Sequence, residues 1–241
     1  MTTKKTIAIF GAGMGLGASL ATRFGREGYR VALIARSAEP LEKRVAALAE
    51  EGIEAVAFPA DLTDLSGIPA LIRSIEQYFG SIDVAIYSPV PSNTGFVSAV
   101  DLDSAKLKSM TPIFTYAPVE VSHALLPGML ARGDGAIVLV TGLTAVVTVP
   151  GMSGVGPAMT AARNYIFTLN AEVAGKGVFA GSVSIGAMIE RSTGMRIATA
   201  GGATLDPRLP VIDPDLIAEE IRNLVIKRDR AEVILPAPPQ S

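Results

Sequence analysis

The sequence predicts an α/β fold, a doubly wound parallel β-sheet of about seven strands with helices on both faces. Three observations carry the prediction. Short apolar runs alternate with amphipathic helical stripes along the whole chain. The first run ends in a glycine-rich turn that opens directly into a helix. The chain has 241 residues, 49% hydrophobic and 18% charged, enough to bury a two-sided core in one domain spanning 1–241.

Ile7, Ile9 and Phe10 form the first run, as a strand buried on both faces requires. Gly11, Gly13, Gly15 and Gly17 follow, and Leu16, Leu20 and Phe24, four residues apart, mark a helix that Gly28 ends. Residues 31–35 are the second strand. Leu41, Val45 and Leu48 mark a second helix, with Pro40 near its first turn and Gly52 at its end. Residues 53–58 are the third strand, and Asp61 stands where it would cap a helix starting near Leu65. Ile68, Leu71, Ile72, Ile75 and Phe79 form the stripe of that helix, which Gly80 ends. Residues 82–87 are the fourth strand. Residues 107–132 are mostly helical, with Pro112, Pro118 and Pro127 predicting an irregular start and finish. A fifth strand at 136–140, a long helix at 153–174 and a sixth strand at 178–185 follow. Residues 187–213 have no clear period. Asp213 and Pro214 start a last helix through Lys227, and 231–235 is a final strand before a frayed tail, PAPPQS.

Composition excludes several functions. The net charge is −2 with no basic run, so no nucleic-acid partner is expected. There is no cysteine, which removes disulfides, thiolate metal sites and a cysteine nucleophile, and a single histidine argues against a histidine metal site. No apolar run reaches membrane-spanning length without Gly, Pro or charge. The start MTTKKTIAIF runs straight into the first strand, leaving no room for a signal peptide, and a cytoplasmic protein is expected. The mean hydropathy of +0.41 is high for a monomer and points to apolar surface buried between subunits.

Phosphate explains the glycine turn. Backbone N–H groups at a helix N-terminus point at an anion, and glycine lets a pyrophosphate approach closely. Gly11, Gly15 and Gly17 fit G-x-x-x-G-x-G, which resembles the turn of the short-chain dehydrogenase/reductases, although Phe10 stands where Thr usually precedes the first glycine. The resemblance runs from about Lys5 to about Pro236. It implies a Rossmann-type, NAD(P)-binding domain that transfers hydride between nicotinamide and a small-molecule substrate. The acidic residue that would meet the ribose 2′-hydroxyl of NAD is absent after the second strand. Arg36, helped by Ser37, suits the 2′-phosphate of NADP instead, so NADP(H) is the expected cofactor. By the same resemblance the cofactor meets Gly11, Gly13, Gly15, Leu16, Gly17, Arg36, Ser37, Asp61, Leu62, Ser88 and Gly186. Asp61 would bond the adenine with Leu62 beside it, a role open alongside that of helix cap. Residues 187–213 sit where the family carries its substrate lid. The two long helices, 107–130 and 153–174, sit where it forms homodimers and homotetramers.

In the family a Tyr moves the proton, a Lys four residues later lowers that Tyr's pKa and holds the ribose, a Ser polarises the oxygen, and an Asn supports the water chain. Strand five, GAIVLVTGLTA, and the helix end TLNAE fix the register from both sides. The Ser place falls on Gly142, the Tyr place thirteen residues on at Val155, the Lys place at Met159 and the Asn place at Phe114. None of these side chains transfers a proton. Tyr87, Thr141 and Ser153 are the substitute candidates, with Thr144 also flanking the vacant places and Tyr116 a further tyrosine. After strand four the family's Asn-Asn-Ala-Gly becomes Tyr87-Ser88-Pro89-Val90, and its Pro-Gly after strand six becomes Ile185-Gly186. His123 is read as facing a subunit contact or solvent, Glu190 and Arg191 as a solvated pair opening the lid, and Arg163 as interface or surface.

Three functions follow. One is an atypical NADP(H)-dependent oxidoreductase acting on a small apolar substrate with an activated C=O, C=N or C=C bond. Another is an inactive relative that keeps the nucleotide as scaffold or sensor. The third is a non-redox isomerase or cyclase on the same fold.

Overall fold

The computed structural model describes residues 4–91, 96–202, 204–205 and 209–237. The sheet strands are β1 (Thr6–Phe10), β2 (Arg30–Ala35), β3 (Ala55–Pro59), β4 (Val84–Tyr87), β5 (Gly135–Gly142), β6 (Val178–Ile185) and, after a short pair β7 (Met188–Ile189) and β8 (Val211–Ile212), β9 (Glu232–Leu235). They form one seven-stranded sheet in the order β3-β2-β1-β4-β5-β6-β9, parallel throughout. The order reverses beside β1, so a crevice opens where β1 and β4 end.

Each parallel crossover needs a helix. The helices are α1 (Leu16–Gly25), α2 (Ala38–Glu50), α3 (Ile68–Phe79), α4 (Ser104–Thr111), α5 (Ala117–Arg132), α6 (Val155–Val173), α7 (Thr193–Ala198) and α8 (Pro214–Lys227). Strand alternation divides the core in two. Ala8, Phe10, Ile34, Tyr87, Ile137 and Leu139 face α3, α5 and α6. Ile7, Ile9, Leu33, Ile86 and Val138 face α1, α2 and α8. The central strands are apolar on both faces because both faces are covered.

Several boundaries differ from expectation for local reasons. Asp61 does not cap a helix; Asp64 precedes the 3-10 turn Leu65–Gly67 and accepts the Gly67 N–H. The α4–α5 stretch begins at Ser104, where Asp103 caps by accepting the Lys106 N–H. Its irregularity lies in the middle: Pro112–Tyr116 forms a π turn. Pro112 and Pro118 each withhold an N–H there, and the wider turn absorbs the mismatch. Pro127 interrupts nothing and sits inside α5 on an exposed face. The α6 helix starts two residues late, because Gly154 has φ +87° and Ser153 bridges to Val97 in extended conformation. The aperiodic segment 187–213 contains β7, α7 and β8, each too short to show a period, and its residues 203 and 206–208 lie outside the described residues. So do 238–241 of the tail.

An ion pair ties α6 to β9. Arg163 donates twice to Glu232 on β9, at 2.7 and 2.6 Å, and its guanidinium lies over the Phe167 ring. Both partners are 23% exposed, so neither charge is well hydrated. Breaking the pair strands the survivor. Arg163→Ala and Glu232→Ala should each lower unfolding free energy by about 1–3 kcal/mol, and the double variant should lose little more than either alone in urea titrations.

Candidate nucleotide and substrate site

The turn after β1 is set by close approach. Gly11 has φ +94°, and a Cβ on it would lie 2.6 Å from the Pro89 backbone. A Cβ on Gly17 would lie 2.7 Å from Cα of Ala12. Gly13 is open, with nothing nearer than 3.9 Å to a would-be Cβ. Gly15 is the N-cap of α1, no side chain caps that end, and its first turn holds no acidic residue. The helix's first amides and its positive dipole end are thus left for an anion, which fits a pyrophosphate. Leu16 is buried in the core and offers its backbone only. A Cβ on Gly15 would lie 3.0 Å from Cβ of Ser192 and 3.2 Å from the Glu190 carbonyl, so the segment after β7 presses on the turn.

The other residues expected to meet the cofactor lie past the ends of β2, β3, β4 and β6. Arg36 and Ser37 are exposed just past β2, and Arg36 has no hydrogen bond or ion pair among the described residues. Asp61 takes the N–H and the hydroxyl of Thr63 on its Oδ1, at 2.9 and 2.7 Å. Those bonds, and more weakly the charge of Arg36, hold its carboxyl below the ordinary range. Leu62 turns into the core, so its side chain is not an adenine wall. Ser88 donates its N–H to Phe10 O at 2.8 Å. Gly186 donates to Leu235 O at 2.7 Å, and a Cβ there would strike the Leu143 side chain.

The four places assigned to the family's relay form one apolar patch. Phe114, Val155 and Met159 are all buried in the core cluster between the sheet and α6. Gly142 ends β5 and donates its N–H to Met159 Sδ at 3.2 Å. Phe114 lies inside the π turn, which Thr115 ties to α6 by donating to Ala158 O at 2.7 Å.

The substitute candidates fare differently. Tyr87 donates its hydroxyl to Ile113 O at 2.6 Å and is 3% exposed. Burial pushes its phenol far above the ordinary value. It is a core tyrosine bracing the π turn, which corrects its expected role as an acid. Thr141 is likewise removed: its hydroxyl meets Ser184 Oγ at 2.8 Å, and Ser184 donates onward to Glu232. Ser184 has one proton, so Thr141 must give its own inward. Ser153 pairs its backbone with Val97, and its hydroxyl has no partner among the described residues. Tyr116 and His123 are exposed on the outer side of the helix. Arg163 is not free surface, being bound to Glu232. Arg191, with φ +58°, bridges Asp213 and Asp215 at 2.8 Å each, while Glu190 is exposed.

Sequence reasoning undervalued Thr144. Its Oγ1 is buried with no hydrogen-bond partner among the described residues, a property no residue pattern announces. Glu232 had a signal, one acid in an otherwise apolar strand. A cleft of ≈ 620 Å³ between α1, α2 and α8 collects Arg23, Arg26, Arg44 and Arg191. Glu219, Glu51 and Asp215 neutralise three of them, leaving a salt-bridged groove that Met14 of the glycine turn also lines. Among the described residues no cluster fits a metal ion, and no helix is long and apolar enough to cross a membrane.

Comparison with known proteins gives one family. The model described as short chain dehydrogenase matches residues 5–199. The 2-(S)-hydroxypropyl-CoM dehydrogenase 3 of Xanthobacter autotrophicus is 33% identical over 200 residues, covering 83% of this chain and 77% of that protein. A dehydrogenase/reductase SDR family protein 7-like of Drosophila melanogaster is 29% identical over 235 residues, covering 93% of this chain and 71% of that one. Among solved structures, L-sorbose reductase of Gluconobacter frateurii, complexed with NADPH and L-sorbose, superposes with a TM-score of 0.84 at 20% identity, over 97% of this chain and 95% of that one. A metagenomic short-chain oxidoreductase in complex with NADP gives 0.78 at 21% identity, with 96% of each chain covered.

The close approach at Gly11 has a direct test. Gly11→Ala combines a positive φ with backbone overlap, so it should cost more than about 1 kcal/mol in thermal or urea unfolding. It should also abolish NADPH binding measured by calorimetry, whereas Gly13→Ala, with open space, should fold normally.

Proposed function

The chain belongs to the short-chain dehydrogenase family, and from that premise we propose that it is an NADP(H)-dependent oxidoreductase whose hydride acceptor is already electrophilic. Its substrate is small and apolar, with an activated C=O, C=N or C=C bond. The single observation that carries this reading is a contrast. The cradle at Gly11 to Gly17 fits a dinucleotide, while Val155, Met159 and Phe114 are packed as core and Gly142 carries no side chain.

The fit of the cofactor rests on this chain's own groups. The uncapped start of α1 would hold the pyrophosphate, with Gly13 giving it room. Arg36, charged and unpaired among the described residues, would hold the 2′-phosphate beside the Ser37 hydroxyl. Asp61 Oδ2 would accept from the adenine. When bound, the reduced nicotinamide supplies a hydride, that is two electrons and one hydrogen. The protein's part is to orient the acceptor and keep water off it, because a general acid worth roughly 10²- to 10⁴-fold is not offered at the family's places. Ketones that need protonation as they are reduced are therefore poor substrates. Residues 187–213 act as the lid over this pocket, and exposed Val147, Val149 and Ile197 give its rim an apolar character. The outward faces of α5 and α6 are the proposed contact of a homodimer or homotetramer.

A second reading, nucleotide held as scaffold or sensor, is favoured by the same apolar packing. Titration with NADPH and NADH followed by a panel of carbonyls, enones and imines separates the two. NADPH oxidation with an enone or imine supports the reductase; tight binding with no turnover of any acceptor selects the scaffold.

Arg36→Ala should weaken NADPH by about 10- to 100-fold and leave NADH nearly unchanged; equal losses would retire the 2′-phosphate assignment. The rate of hydride transfer should also be flat from about pH 6 to about pH 9, since no side chain at the four places titrates. A bell-shaped profile in stopped-flow measurements would contradict the acid-free site.

A further inference from the structure

We propose that the Gly142 N–H and the Thr144 hydroxyl form a two-donor pocket for an oxygen that becomes negatively charged, and that the acceptor is an α,β-unsaturated carbonyl compound. The inference deepens the reductase reading and rests on it for the redox half only.

Three groups border one small space at the end of β5. A Cβ on Gly142 would lie 3.7 Å from Thr144 Oγ1 and 3.7 Å from Met159 Sδ. A Cβ on Gly156 in α6 would also lie 3.7 Å from Thr144 Oγ1. Gly142 contributes no side chain to this space, and Thr144 stands beside it with a hydroxyl that is shielded from water and unbonded among the described residues. A buried donor without an acceptor calls for one from outside the chain. The Gly142 N–H is only nominally satisfied. Its partner is a thioether sulfur, a weak acceptor on a flexible side chain that yields readily. When Met159 swings aside, an entering oxygen can take both protons.

Once Met159 has moved, two donors meeting one oxygen favour developing negative charge in a water-poor site. That distinguishes the possible electrophiles. An iminium ion is cationic and becomes a neutral amine, so two donors oppose it. A simple ketone becomes an alkoxide, a base strong enough to need an acid at the same moment. A conjugated carbonyl becomes an enolate, which the donor pair can hold. Hydride addition at the β-carbon forms the new C–H bond and breaks the C=C π bond, whose electron pair moves through the conjugation to oxygen. The hydride comes from the reduced nicotinamide, which is oxidised. The α-carbon then takes a proton from water, leaving hydroxide, and the product is the saturated carbonyl.

The test uses the protein without nucleotide. 4-Nitrophenol offers an oxygen anion of the same kind, and its two protonation states differ in absorbance. The protein should raise the phenolate fraction at a pH below the free phenol's pKa, and the Gly142 amide resonance should shift on titration. Thr144→Val should weaken phenolate binding by about tenfold, and Thr144→Ser should restore it. With NADPH, Thr144→Val should lower kcat for a cyclic enone by about 100-fold while NADPH affinity and thermal midpoint stay unchanged. Absence of a Gly142 shift, or a Thr144→Val variant that binds phenolate as well as wild type, overturns the donor pair even if an imine is reduced. Phenolate binding through Thr144 with no NADPH consumption by any acceptor leaves the donor pair standing and sinks the reductase reading.

Discussion

The structure depends on how closely backbone passes backbone where β1 ends. Gly11 lies against Pro89, and Gly17 lies against Ala12, with no room for a methyl group at either. Those two approaches bring a strand end, a turn and a helix start within one van der Waals layer. Everything proposed for the nucleotide follows from them. The helix amides are left uncapped, the neighbouring Gly13 stays open, and the crevice beside the reversal of strand order has a floor.

The other half of the crevice is built differently. Between the sheet and α6 the chain places sulfur and hydrocarbon: Met110, Phe114, Val155 and Met159. The hydroxyls nearby are turned to structural use. Tyr87 and Thr115 bond carbonyls of the π turn and α6, and Thr141 feeds a chain through Ser184 to the Arg163–Glu232 pair. Such satisfied networks fix one packing arrangement and give up their protons to it. Among the described residues Thr144 and Ser153 are the exceptions, and Thr144 borders the space left at Gly142.

Much of this was legible in the residues. Apolar runs gave the strands because both faces of the sheet are covered, and Gly28, Gly52 and Gly80 marked three helix ends through their positive φ. The register from GAIVLVTGLTA to TLNAE sets Gly142 and Met159 at two of the family's relay places, and the two residues touch. What failed was anything decided by a third partner. Asp61 and Asp64 are equally good caps on paper, and Thr63 decides between them by occupying Asp61. Tyr87 reads as a strand-end tyrosine, and only the Ile113 carbonyl shows where its hydroxyl goes. The π turn was hidden because prolines forecast disruption without saying whether a helix breaks or widens.

Ser192 and Glu190 rest on Gly15, and Arg191 between them is held by Asp213 and Asp215 at the start of α8. One short segment thereby ties the turn after β1 to the start of α8, so a displacement of α8 is felt at the N-cap of α1. Both Arg191 bridges are exposed, so raised ionic strength screens them and loosens that tie.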